Sequence, residues 1–244
     1  MSSGFRVEVG PDDLASAARR LEQTGRARLP FLLGHETTRA LYQAVRSPDL
    51  PWVRTFDGAG ETAQLAADVD AMSPMDRQAL MASVHRQAAD QFQYLFDRLA
   101  IQNRPGRRQP LPDDLHRLVA LFSGTSFLSF TRQLTGDERI SFVDAQMTRY
   151  LPGHFLNRHS DAHERSGRLY AYVLNLSPLW RAEWGGLLQF FDGEGEVDQT
   201  YTPQFGSLSV FRVPQMHAVS SLAAFAPVPR YAVTGWWRAV PSLP

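Results

Sequence analysis

Cysteine and lysine are both absent from this 244-residue chain. Without Cys, disulfides, thiolate metal sites and thiol nucleophiles are excluded. Any metal must then be held by His, Asp or Glu, a donor set that suits non-haem iron better than structural zinc. Without Lys, all 25 basic residues are Arg, a bias read as GC-rich coding with no functional message. They balance 25 acidic residues to a net charge of +0, so no global field draws the chain to nucleic acid or to an anionic membrane. No apolar run reaches membrane length, and the N-terminus lacks the basic region and apolar core of a signal peptide. The expectation is a cytoplasmic protein with neither nucleic acid nor membrane as a partner. With 43% hydrophobic and 20% charged residues, the composition is that of an ordinary globular protein, and the length suits one domain over residues 1–244.

Against these absences stands one stretch rich in chemistry, Tyr-Leu-Pro-Gly-His-Phe-Leu-Asn-Arg-His-Ser-Asp over residues 150–161. In a strand, side chains alternate faces, so the His159 imidazole and the Asp161 carboxylate project from the same side. A second histidine from a neighbouring strand would complete a 2-His-1-carboxylate triad, which holds one face of Fe(II) and leaves the other open. His217, after the apolar run at 208–211, is the candidate. Asn157 shares the face of His159 and Asp161 and is placed to touch substrate. A His-x-Asp pair taken alone is weakly specific. His85, His154 and His163 are read as ordinary helix or loop residues.

Local patterns predict helices over residues 11–23, 37–46, 112–122 and 126–134, with Gly25 and Gly136 as stops. A longer helix from Ser73 carries Leu80, Val84, Ala88, Phe92 and Leu95 at helical spacing. Short strands are expected at 26–33 and 52–56, and an Arg-containing loop at 103–110 reads as a solvated connection. From about residue 139 the texture changes to short apolar runs, at 140–143, 145–150, 155–161, 169–176, 187–191, 207–211, 218–221 and 231–237. Runs of that kind, separated by turns, imply a β-sandwich or barrel. Residues 1–137 are thus mainly helical support, and residues 138–240 form the β-core.

An ordered set of pieces now resembles a known family. Tyr150 with Pro152-Gly153 precedes His159-x-Asp161; Tyr172-Val-Leu-Asn175 leads to Trp180; then come Gly185-Gly186, Pro203-Gln-Phe-Gly206, His217-Ala-Val and Arg230-Tyr-Ala-Val-Thr-Gly-Trp236-Trp237. Residues 138–238 resemble the 2-oxoglutarate- and Fe(II)-dependent dioxygenases of the prolyl-hydroxylase-like branch, similar to ribosomal-protein prolyl hydroxylases and bacterial relatives. The resemblance implies an α+β, mainly β fold, with a double-stranded β-helix (jelly-roll, cupin-like) core and N-terminal supporting helices. It implies Fe(II) at His159, Asp161 and His217, and 2-oxoglutarate held by Arg230 and Tyr150, with O2 consumed and ascorbate as an accessory reductant. A guanidinium fork matches a carboxylate in geometry and stays charged at working pH. Strand alternation then places Trp236 beside Arg230 on the cavity wall, and Thr148 and Gln146 beside Tyr150.

Two positions depart from the family pattern. Some relatives hold 2-oxoglutarate with a tyrosine where this chain has Val173, and others with a Ser or Thr where it has Ala232. The implied reaction is hydroxylation of a C–H bond, by analogy on a prolyl residue of a protein, with 2-oxoglutarate converted to succinate and CO2. The same chemistry on a free amino acid or small metabolite, and a non-catalytic cupin-like binding module, are the alternatives.

Overall fold

A computed structural model describes residues 4–58, 61–102, 111–162 and 166–239; the 103–110 loop and His163 lie outside the described residues. In chain order the elements are α1 (Pro11–Thr24), β1 (Arg26–Leu29), α2 (His35–Val45), β2 (Val53–Asp57), β3 (Glu61–Leu65), α3 (Ala66–Asp70), α4 (Pro74–Asp90), β4 (Tyr94–Ala100), α5 (Asp113–Phe122) and α6 (Thr125–Thr135). There follow β5 (Phe142–Val143), β6 (Gln146–Tyr150), β7 (Phe155–His159), β8 (Arg168–Asn175), a 3-10 turn (Ala182–Trp184), β9 (Leu188–Phe191), β10 (Val197–Tyr201), β11 (Leu208–Arg212), β12 (His217–Val219) and β13 (Arg230–Arg238). No helix among the described residues is long and apolar enough to cross a membrane.

The 13 strands among the described residues join one curled antiparallel sheet, ordered β1-β11-β8-β13-β6-β4-β7-β12-β9-β10, with β2, β3 and β5 off this path. The period of two in the strand sequences sorts side chains to its two sides. From the outer side Met147, Tyr172, Leu174, Val233 and Trp237 pack with Leu21, Leu41, Leu118, Phe122 and Phe127 of the helices. Burying each such side chain contributes about 1.5–3 kcal/mol. The inner side carries a smaller cluster of Ala171, Val173, Phe190, Phe211 and Ala232. This is the mainly β fold with supporting helices that the sequence implies.

Helix ends follow their chemistry. Gly25 and Gly136 close α1 and α6 in left-handed conformation, at φ 73° and 67°, where a Cβ would be strained. Ser73 caps α4 by accepting from the Asp76 amide at 3.1 Å.

The helix expected to reach Leu95 ends at Asp90, and Leu95 belongs to β4. Leu95 does meet Val84, Phe56 and Phe155 in one cluster, but it arrives from a strand, so its helical spacing with Val84 is coincidental. β4 alternates in burial along its whole length. The alternation is masked in the sequence because Asp97, fully buried at its centre, is charged. It accepts from Arg54 Nε at 2.9 Å and from Arg149 Nη2 at 2.7 Å, and Arg54 Nη1 also reaches Asp70 at 2.8 Å. The N-terminal half therefore contributes four strands as well as helices, and one of them, β4, sits between β6 and β7. β2 falls on the strand expected at 52–56, whereas its hairpin partner β3 and the largely exposed β10 lack the apolar alternation that would reveal them.

Candidate metal centre and co-substrate cavity

His159 ends β7 and His217 begins β12, and the two are Cα partners in the antiparallel register. Their ring centroids lie 4.2 Å apart. Asp161, two residues past His159, brings its carboxylate to 3.7 Å from His159 Nε2 and 3.5 Å from His217 Nε2. One ligand atom from each of the three residues falls within 4.8 Å of the others.

Both imidazoles are oriented by their own chain. His159 Nδ1 lies 2.9 Å from the Asn157 carbonyl and His217 Nδ1 2.8 Å from the Gln215 carbonyl. A neutral imidazole donating there presents its Nε2 lone pair to the common centre. Burial is the main reason the His217 pKa falls to about 4, with His159 adding to it. At Asp161 burial alone would raise the pKa, but the His159 hydrogen bond, both imidazoles and the Trp236 indole outweigh it and hold the carboxyl below its ordinary range. Two neutral nitrogens and one carboxylate on one side of an open cavity are a donor set that fits Fe(II) with positions left free.

The cavity, of about 750 Å³, runs from this centre to Arg230, and its lining includes Tyr150, Thr148, Gln146, Thr234 and Trp236. Arg230 and Tyr150 are Cα partners on β13 and β6, as are Ala232 with Thr148 and Thr234 with Gln146. Arg230 is only 2% exposed, yet it meets no carboxylate among the described residues. Nη2 donates to the neutral Asn175 Oδ1 at 3.4 Å, Nε has no partner, and the guanidinium stands 5.2 Å from the Tyr150 ring centre. Burial lowers its pKa against the pull of Tyr150. Burial in turn pushes Tyr150 up to about 12, so its phenol stays protonated and can donate. The fit to 2-oxoglutarate rests on this uncompensated buried cation, which suits a distal carboxylate.

Asn157 is a correction. Its Nδ2 donates to the Ala88 carbonyl on α4 at 3.0 Å, and it lines a separate, shallower depression rather than the cavity. A register shift between β7 and β12 explains this. His217 opposes His159 and Val219 opposes Leu156, so two residues on one strand span three on the other. The bulge puts Leu156, not Asn157, on the face of His159.

His85 Nε2 lies 3.2 Å from the Gly153 carbonyl oxygen, to which it donates, and His154 is buried within reach of Asp97, Arg54 and Arg149. Several cavity residues were not anticipated. Arg168 stacks its guanidinium 3.6 Å from the Trp236 ring centre and donates to the Asp161 carbonyl at 3.3 Å. From β4 and the turn before it come Phe92, 5.6 Å from the His159 ring, and Phe96, stacked 5.4 Å from Tyr150. The alternation of Phe92, Tyr94 and Phe96 was the available signal, hidden once the segment was read as helix.

Residues 145–238 match the sequence model described as the 2OG-Fe(II) oxygenase superfamily. No curated protein matches the chain significantly. Among solved structures, a Pseudomonas putida prolyl-4-hydroxylase is 20% identical, with a TM-score of 0.59 over 100% of this chain and 99% of that one. A Burkholderia pseudomallei oxidoreductase of the 2OG-Fe(II) oxygenase family is 17% identical, with a TM-score of 0.62 over 97% and 96%. A Trichoplax adhaerens prolyl hydroxylase, solved with a hypoxia inducible factor oxygen degradation domain peptide, is 18% identical, with a TM-score of 0.56 over 93% and 91%. At these identities the solved structures establish a shared fold.

Proposed function

We propose that this chain, whose residues 145–238 match the 2OG-Fe(II) oxygenase superfamily, is a dioxygenase that hydroxylates a C–H bond of a prolyl residue in a protein, coupled to oxidation of 2-oxoglutarate to succinate and CO2. The observation that carries the reading is the pairing, in one cavity, of a His159–Asp161–His217 centre with the buried, carboxylate-free Arg230. The prolyl assignment is supported by the named activity of the Pseudomonas and Trichoplax proteins, the latter holding a peptide.

Fe(II), when bound with 2-oxoglutarate and O2, supplies the oxidising power to break an unactivated C–H bond. The chain supplies position. His159, Asp161 and His217 would hold the metal on one side, their two Nδ1 hydrogens locked to backbone carbonyls so that the rings cannot turn. Arg230 binds the distal carboxylate and Tyr150 donates its phenol hydrogen to it, which fixes which end of the oxo acid faces the metal. Trp236, held under the Arg168 guanidinium, and Phe92, packed against the His159 ring, line the cavity beside the three would-be ligands and would bound the space left to a substrate there. Gln146 and Thr148 line the β6 side of the cavity and would offer polar groups to a substrate there.

The test is succinate formation from 2-oxoglutarate in air with Fe(II) and ascorbate, beside an Asp161→Ala control, followed by mass spectrometry of proline-containing peptides for the gain of one oxygen atom. Iron-dependent succinate that vanishes in the control, with oxygen gained on proline, is the expected result. Succinate with every peptide unmodified would shift the substrate to a free amino acid or metabolite. Absence of both succinate and 2-oxoglutarate binding would favour a non-catalytic module.

A further inference from the structure

Asn175 is the last residue of β8 and 3% exposed. It is Cα partner of Ala232 on β13, the position where the chain lacks a hydroxyl, and lies two residues along the same strand face from Val173, where it lacks a phenol. Its Oδ1 accepts from Arg230 Nη2 at 3.4 Å. Its other end is fixed three times over. Nδ2 donates to Ser207 Oγ at 3.2 Å, the backbone amide donates to the Ser207 carbonyl at 2.9 Å, and the carbonyl accepts from Gly206 at 2.9 Å. Ser207 Oγ is itself committed to the Gln204 carbonyl at 2.7 Å.

Because Ser207 Oγ spends its hydrogen on Gln204, it can only accept from Asn175, and this sets the amide orientation: nitrogen toward Ser207, oxygen toward Arg230. Arg230 is confined from the other side as well. A Cβ on Gly186 would lie 2.9 Å from Arg230 Cδ, so only glycine lets the guanidinium stem pass. The arginine thus has a defined position and one neutral acceptor.

Resting on the function proposed above, we propose that Asn175 is the residue that sets co-substrate charge specificity. As a neutral amide of fixed orientation it positions Arg230 without cancelling its charge, so the cavity selects a 2-oxo acid with a second, distal carboxylate. A carboxylate at the same position would close an ion pair with Arg230, and the distal carboxylate of the oxo acid would lose its partner.

The test is calorimetric binding of two oxo acids to protein loaded with Mn(II), a metal that binds without turnover: 2-oxoglutarate, and 2-oxopentanoate, which has the same five carbons and no distal carboxylate. Asn175→Asp is expected to weaken 2-oxoglutarate about 100-fold, the scale of a lost buried ion pair, and to leave 2-oxopentanoate within about threefold. It should also raise the melting temperature, since it pairs a buried charge; a merely structural role would lower melting temperature and affinity together. Asn175→Leu, which keeps the side-chain bulk but adds no charge, loses only the neutral hydrogen bond to Arg230 and should weaken 2-oxoglutarate by no more than about tenfold. If the wild type binds 2-oxoglutarate and Asn175→Asp binds it equally well, this inference fails while the proposed function stands. If Asn175→Leu weakens binding as much as Asn175→Asp, packing and not charge is responsible, and the inference again fails. A wild type that binds neither oxo acid overturns both readings.

Discussion

The structure buries two arginines almost completely, Arg54 at 3% and Arg230 at 2% exposure, and surrounds them in opposite ways. Arg54 is met by Asp97 and Asp70, and Asp97 also takes Arg149. Burial opposes the charge on Arg54, but its two carboxylates outweigh that and its pKa rises above the ordinary value. At Arg230 burial is opposed only by Tyr150, and the pKa falls. A buried cation that is fully paired is scaffold, because its partners came with the fold. One left with a neutral amide and an open cavity waits for an anion from outside. The same residue type is therefore fully paired on one side of β6 and left without a carboxylate partner on the other, where we propose that it recognises the co-substrate.

The comparison is broken most severely at the proposed metal centre, on which the proposed role of the open arginine depends. Asp161→Ala should lower iron-dependent succinate formation by more than about 1,000-fold, the scale on which a group essential to catalysis acts. Circular dichroism and melting temperature should stay close to wild type, since the carboxylate contributes no scaffold pairing. The paired cluster gives the converse outcome. Asp97→Ala takes the shared carboxylate from Arg149 and from Arg54, which keeps only Asp70, and should cost roughly 3–5 kcal/mol in urea unfolding. If Asp97→Ala were neutral in stability, the division into scaffold and binding arginines would fail.

Arg230→Met sharpens the contrast. It should raise the 2-oxoglutarate requirement about 100-fold, equivalent to about 2.7 kcal/mol, with stability unchanged or increased, because an uncompensated buried charge is replaced by an apolar chain. The Arg54→Met counterpart should lose stability, since Asp97 and Asp70 then lose a partner. Opposite signs in the two melting temperatures are the measurement that checks this.

Much of the site was legible because its chemistry is local. His159-x-Asp161 needs only strand alternation to share a face, and the Gln146, Thr148, Tyr150 series and the Arg230, Thr234, Trp236 series lie on the cavity side as a period of two requires. Asn157 fails by the same rule, because the bulge in β7 adds a residue that no sequence pattern announces. β4 was hidden by a different cause. Its charged Asp97 sits at a core position that only partners 43 and 52 residues distant in the chain make tolerable. The helices around the core were readable from caps and glycine stops, whereas the polar β10 derives its order from pairing with β9.

His154 tests the paired cluster most gently. It is 3% exposed, and burial pulls its pKa from 6.5 down to about 4, with Arg54 and Arg149 acting in the same direction and Asp97 against them. In the unfolded chain the imidazole takes up a proton near its ordinary pKa, while in the folded chain it stays neutral until well below. Between those values the unfolded state binds more protons, so stability rises with pH and is lost as pH falls from 6.5 towards 4. Going from pH 7 to pH 5 this one group should account for about 2 kcal/mol of lost stability. His217, shifted in the same way, adds to the slope in metal-free protein, so the quantity to measure is the difference between wild type and His154→Phe. The variant should show a shallower decline in urea midpoint between pH 7 and pH 5, by about 2 kcal/mol. Equal slopes would mean that Asp97 shares its charge with His154 as well as with its arginines, and that the scaffold cluster is less completely closed than its hydrogen bonds indicate.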